Sequence, residues 1–92
     1  MKHNTSQFRE KVERLAERYD LGVSNKIVGE SVGAVIKLTI DKVRVEVEIT
    51  AGRCTVIDEE GRRETFKKSS SGWDQRSLEH IEKLLTAYNR LD

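Results

Sequence analysis

Apolar residues recur at two different spacings along this chain, and each change of spacing marks a change of element. Phe8, Val12, Leu15, Ala16 and Tyr19 stand three and four apart, which lines them along one stripe of a helix. Asn4 or Thr5 caps its start by accepting an orphan amide, and Gly22 is placed to end it in a left-handed conformation. From Ala34 the period falls to two. Ala34, Ile36, Leu38 and Ile40 alternate with Val35, Lys37 and Thr39. Val43, Val45, Val47 and Ile49 then alternate with Arg44, Glu46, Glu48 and Thr50. Two such runs in succession predict two half-buried strands. A short turn at Asp41-Lys42 sets Ile40 opposite Val43, Leu38 opposite Val45 and Ile36 opposite Val47, with Lys37 across from Glu46 on the outer face.

A third strand spans Arg53 to Asp58 after a turn at Ala51-Gly52. A two-residue turn sends Cys54 and Val56 inward, whereas a three-residue bulged turn would send Ile57 inward; the first is the expectation. Glu59-Glu60-Gly61 reads as a type I turn with a bulge, leading to a fourth strand that ends near Phe66-Lys67. A polar connection, Lys68 to Gly72, precedes a second helix capped by Asp74, with Trp73 stapled on Leu78. Leu78, Ile81, Leu84, Leu85, Tyr88 and Leu91 form its stripe. Residues 23–33 resist assignment: Gly29 and Gly33 bracket Glu30-Ser31-Val32, as in a bent edge strand or a loop.

The pattern predicts an α+β fold. It is a two-layer sandwich in which an antiparallel meander of three or four strands carries both terminal helices on one face, in the order α-β-β-β-β-α. At 92 residues the chain is read as one domain, 1–92. Leu38, Val45, Val47, Leu15, Ile81 and Leu84 are expected at the helix–sheet interface.

Charge changes little in that picture. Seventeen Lys and Arg face sixteen Asp and Glu, for a net charge of +1, so no global pull on nucleic acid or anionic membrane follows. A lone cysteine, Cys54, with no apolar leader and no span-length apolar run, points to a soluble protein of a reducing, intracellular compartment.

Candidate chemistry is sparse. His3 and His80 stand far apart, and with one cysteine they make a poor zinc set. Cys54 reads as a small core residue, since a nucleophile needs an electropositive, exposed niche. Glu46/Glu48 and Glu59/Glu60 suit cross-strand and turn roles, and Gly29-Glu30-Ser31-Val32-Gly33 lacks the Lys-Ser/Thr and following helix of a phosphate cradle. No enzyme activity, cofactor, metal or small-molecule ligand is expected. The helix–meander–helix order is shared with double-stranded RNA-binding domains, but their lysine cluster is replaced here by Asp74-Gln75-Arg76 at the start of the last helix.

What remains is a scaffold that works by contact. The leading expectation is a non-enzymatic module that binds another protein, or a second copy of itself as a homodimer, through a sheet edge or the outer sheet face. That face carries Val35 and Ile57 near its centre, with Thr39 and Thr55, and Lys37, Arg44, Glu46, Glu48 and Arg53 as a charged rim. The alternative is a nucleic-acid binder. It would use a basic ridge of Lys11, Arg14 and Arg18 on the first helix together with Arg62, Arg63, Lys67 and Lys68 around the last hairpin.

Overall fold

The first helix, α1 (Asn4–Glu17), buries the stripe that its spacing predicts: Phe8, Val12, Leu15 and Ala16 are all inside. The structure, a computed structural model, describes residues 4–28 and 35–90, with side chains described over 7–26 and 35–88. The capping roles of Asn4 and Thr5, the Gly29–Gly33 stretch, His3 and Leu91 therefore lie outside the described side chains.

Five strands follow, one more than expected: β1 (Val23–Val28), β2 (Val35–Ile40), β3 (Val45–Ile49), β4 (Arg53–Ile57) and β5 (Arg63–Lys67). They form a single antiparallel sheet in chain order, β1-β2-β3-β4-β5, and α2 (Trp73–Arg90) closes the fold. The first part of the ambiguous 23–33 segment is thus an edge strand, paired with β2 from Val23↔Ile40 to Val28↔Val35. Asn25, opposite Leu38 on the helix-facing side, breaks the apolar alternation that would have revealed it.

The inner face is the core. Leu38, Ile40, Val45, Val47, Ile49, Cys54 and Val56 are buried against the two helix stripes, with Ile81 and Leu85 contributed by α2. Cys54 and Val56 point inward as the two-residue turn requires, and Thr50 Oγ1 secures that turn by accepting from the Arg53 amide at 3.1 Å. Leu84 is only half-buried; it packs on the edge of the core beside Val43.

Three local expectations need correction. The β2–β3 connection is four residues, 41–44, not two, so Ile40 opposes Val45, Leu38 opposes Val47 and Ile36 opposes Ile49. Asp-Lys lacks the glycine that favours a two-residue type I′ turn. The longer turn places Lys42 (φ +74°) and Arg44 (φ +57°) in the left-handed region and tucks Val43 into the core. The slip is by two residues, so no side chain changes face.

The end of α1 also differs from the expectation. Asp20 (φ +59°), not Gly22, takes the left-handed position, its amide bonded to the Glu17 carbonyl at 2.9 Å and that of Leu21 to Ala16 at 3.0 Å. This is a Schellman closure with buried Leu21 against buried Ala16. Gly22 serves closeness instead: a Cβ there would stand 3.0 Å from Asp41 Oδ2.

Third, α2 begins a residue earlier than read. The Gly72 carbonyl (φ +74°) accepts the Arg76 amide at 3.0 Å, so Gly72 occupies the capping position and Asp74 lies in the first turn. Trp73 consequently belongs to the helix and stacks on Phe8 of α1, centroids 5.1 Å apart.

The contacts between helices ascend together: Phe8 meets Trp73, Lys11 meets Asp74 (3.6 Å), Arg18 meets Glu82 (3.1 Å) and Tyr19 meets Thr86 (2.9 Å). The helices therefore lie side by side and parallel.

Two outcomes test this packing. Val47→Ala, at a fully buried central position, is expected to cost about 1–3 kcal/mol by urea denaturation. An unchanged midpoint would mean that the two sheet faces are exchanged. Asp20→Gly should stabilise by roughly 0.5–1 kcal/mol, since glycine adopts the left-handed conformation without a Cβ clash.

Candidate protein-contact face of the sheet

Because both helices cover one face, the other stands open, and its side chains run in rows across the register. One row reads Lys26, Lys37, Glu48, Thr55, Thr65 from β1 to β5. The next reads Ser24, Thr39, Glu46, Ile57, Arg63. Beyond the first row Arg53 and Lys67 stand directly opposite each other, and Val35 marks the same end of β2.

Ion pairs knit the middle. Lys37 Nζ reaches Glu46 at 3.6 Å and Glu48 at 3.8 Å, and Arg63 reaches Glu48 at 3.5 Å. The Thr55 and Thr65 hydroxyls share a hydrogen bond of 3.2 Å. Such exposed pairs contribute little stability each. Ile57 is half-buried between Glu46 and Arg63. Of the rim residues expected here, Arg44 is not on the face at all. It sits in the β2–β3 turn, because that turn is two residues longer than the alternation implied.

The structure scatters the basic residues. Lys11 and Arg18 lean on Asp74 and Glu82 of α2, and with Arg14 they line an interhelical groove of about 270 Å³ that Glu79 also borders. Arg62 is bound within its own hairpin by Asp58, at 3.6 Å, and by Glu60. Asp58 organises that turn, accepting from the amides of Glu60 and Arg62 at 2.9 Å each, while Gly61 (φ +86°) supplies the left-handed bulge. Lys68 lies over the Trp73 ring at 5.3 Å. Arg62, just before β5, borders a groove with Leu84, Ala87 and Tyr88, whereas Lys68, past the other end of that strand, lies by Trp73 at the start of α2. No single patch gathers them.

His80 packs against Phe66, ring centroids 6.1 Å apart. Cys54 is enclosed between sheet and α2 and contacts Ser77, a buried polar residue the periodicity does not single out. Ser77 donates to the Trp73 carbonyl at 2.7 Å, so its hydroxyl is satisfied inside the core. Among the described residues no group of three His, Cys, Asp or Glu is placed to hold a metal ion, and no helix is long and apolar enough to cross a membrane.

Burial pushes the Cys54 thiol up to about 11, against the opposing influence of the Ser77 hydroxyl and the Lys68 ammonium. The folded chain then keeps a proton that the unfolded chain releases near 9.0, so the unfolded state binds fewer protons between those values and stability falls as pH rises through them. Relative to Cys54→Ala, the natural protein is expected to lose on the order of 2 kcal/mol across that window, measured by urea midpoints. It should also react slowly with thiol reagents at neutral pH. A constant difference from Cys54→Ala, or rapid labelling, would place the sulfur in solvent.

No family model matches the chain, and neither a curated protein nor a solved structure matches it.

Proposed function

We propose that the chain is a non-enzymatic protein-contact module that binds through the outer face of its sheet. One observation carries this reading: both helices lie on one side, leaving a broad sheet face with half-buried Val35 and Ile57 at intervals among threonines and ion-paired side chains. A strand framework presents such groups with little conformational freedom left to lose on binding. The apolar positions would supply the desolvated contacts, and the surrounding charges would fix orientation more than affinity. The nucleic-acid reading draws less support, because four of its seven basic residues already face carboxylates of the same chain: Lys11, Arg18, Arg62 and Arg63.

Ile57→Glu separates the two readings. Arg63 beside it offsets the new repulsion from Glu46, so the fold should persist by circular dichroism, with a midpoint change under about 1 kcal/mol. Self-association by light scattering, or capture of a partner protein, should be lost. Binding that survives Ile57→Glu but disappears when Arg14, Arg18, Arg62 and Arg63 become alanine would replace the protein-contact reading with the basic-residue one.

A further inference from the structure

The register reveals a charge arrangement on the outer face that works against the fold. Lys26 of β1 stands directly opposite Lys37 of β2, and Arg53 of β4 directly opposite Lys67 of β5. Like charges so placed across an antiparallel pair are destabilising. Lys37 is relieved by Glu46 and Glu48. Lys26, Arg53 and Lys67 have no carboxylate within ion-pair distance among the described residues, and all three side chains are exposed. Among the described residues the face sets five cations, Arg63 included, against two carboxylates, a net +3.

Lysine on an edge strand also discourages sheets from joining edge to edge, and β1 and β5 are the two edges. That accounts for Lys26 and Lys67 but not for Arg53, whose strand is interior and offers no free edge. An arginine held opposite a lysine there calls for an anion from outside.

Building on the protein-contact reading, we propose that this face recognises an acidic protein surface, whose carboxylates pair with Lys26, Arg53 and Lys67. A second copy stacked face to face would set +3 against +3, which makes it a poorer occupant than an acidic surface. A phosphate backbone suits the face less well. Glu46 and Glu48 occupy the central strand beneath any chain crossing it, and no aromatic side chain stands among the described outer positions to stack on a base. A protein surface can answer both signs: acids over the flanks and a cation or hydroxyl over the centre.

The test uses the intact chain, isotope-labelled, with poly-L-glutamate as the probe and a DNA duplex as the comparison, each at low and moderate salt. Poly-L-glutamate is expected to shift the amide resonances of residues 26, 53 and 67 and their neighbours on this face. The combined variant Lys26→Gln, Arg53→Gln, Lys67→Gln should bind it at least tenfold more weakly. Lys67→Glu, which turns a repulsive pair into an attractive one, should melt a few degrees higher than the natural protein while binding the probe less. Shifts confined to other surfaces, unchanged binding by the triple variant, or tighter binding of the duplex through this face would each overturn the proposal. Were Ile57→Glu to abolish partner capture while the triple variant left it intact, the contact face would stand and its acidic partner would fall. Insensitivity to both changes would remove both.

Discussion

Burial of one sheet face beneath two parallel helices is the constraint from which the remaining features follow. Leu38, Val47, Cys54 and Val56 from the strands and Phe8, Val12, Ile81 and Leu85 from the helices form one dry layer. In a pleated strand a side chain has only two directions available, so filling this layer assigns every other strand residue to the opposite face. The chain has no freedom to place Lys37 or Arg53 elsewhere while Leu38 and Cys54 stay inside. The same layer explains the tolerance of polar Ser77 in the core: its hydroxyl returns to the carbonyl of Trp73 one turn back, so burial leaves nothing unsatisfied.

Face assignments were legible in the sequence because parity is a local property. Register was not, because it depends on how a turn closes, and a slip of two residues leaves parity untouched. The Asp41–Arg44 turn shows the consequence: the inner residues of β2 and β3 were identified correctly while their partners were displaced, and Arg44 moved off the face into the turn. Helix termini failed for a related reason. A glycine is a strong signal for a left-handed residue, yet Asp20 assumes that role two residues earlier because buried Leu21 and Ala16 determine where the closure falls. The edge strand β1 was obscured by Asn25, a polar side chain at an inward register position where the chain's edge leaves it exposed.

The two surfaces treat their charges differently. Along the helix pair, cations of α1 meet acids of α2, Lys11 with Asp74 and Arg18 with Glu82, and the ridge of positive charge read along α1 is matched by its neighbour. That compensation requires knowing that α1 and α2 lie parallel and adjacent, a tertiary fact no helical periodicity contains. On the sheet the compensation stops at the middle strands. Glu46 and Glu48 satisfy Lys37 and Arg63, and the flanking cations are left facing water.

Dibasic pairs illustrate why clustering along a chain is a poor guide to clustering in space. On a helix, neighbours in sequence diverge by about 100°; on a strand they diverge completely. Arg62-Arg63 and Lys67-Lys68 look like two concentrated basic sites. Instead Arg62 folds into its hairpin with Asp58 and Glu60, while Arg63 projects onto the outer face toward Glu48. Lys67 projects outward beside Arg53, while Lys68 turns to the ring of Trp73, where burial lowers its ammonium from the usual lysine range. The cations that do share a surface come from residues 26, 53 and 67, distant in sequence and joined only through the meander. A positive surface assembled this way has its spacing set by hydrogen-bonded strands about 4.8 Å apart, rather than by the reach of flexible lysines in a loop. The strands thus set where each cation starts, while its flexible side chain still adjusts, and loses rotamer freedom, when it meets a carboxylate.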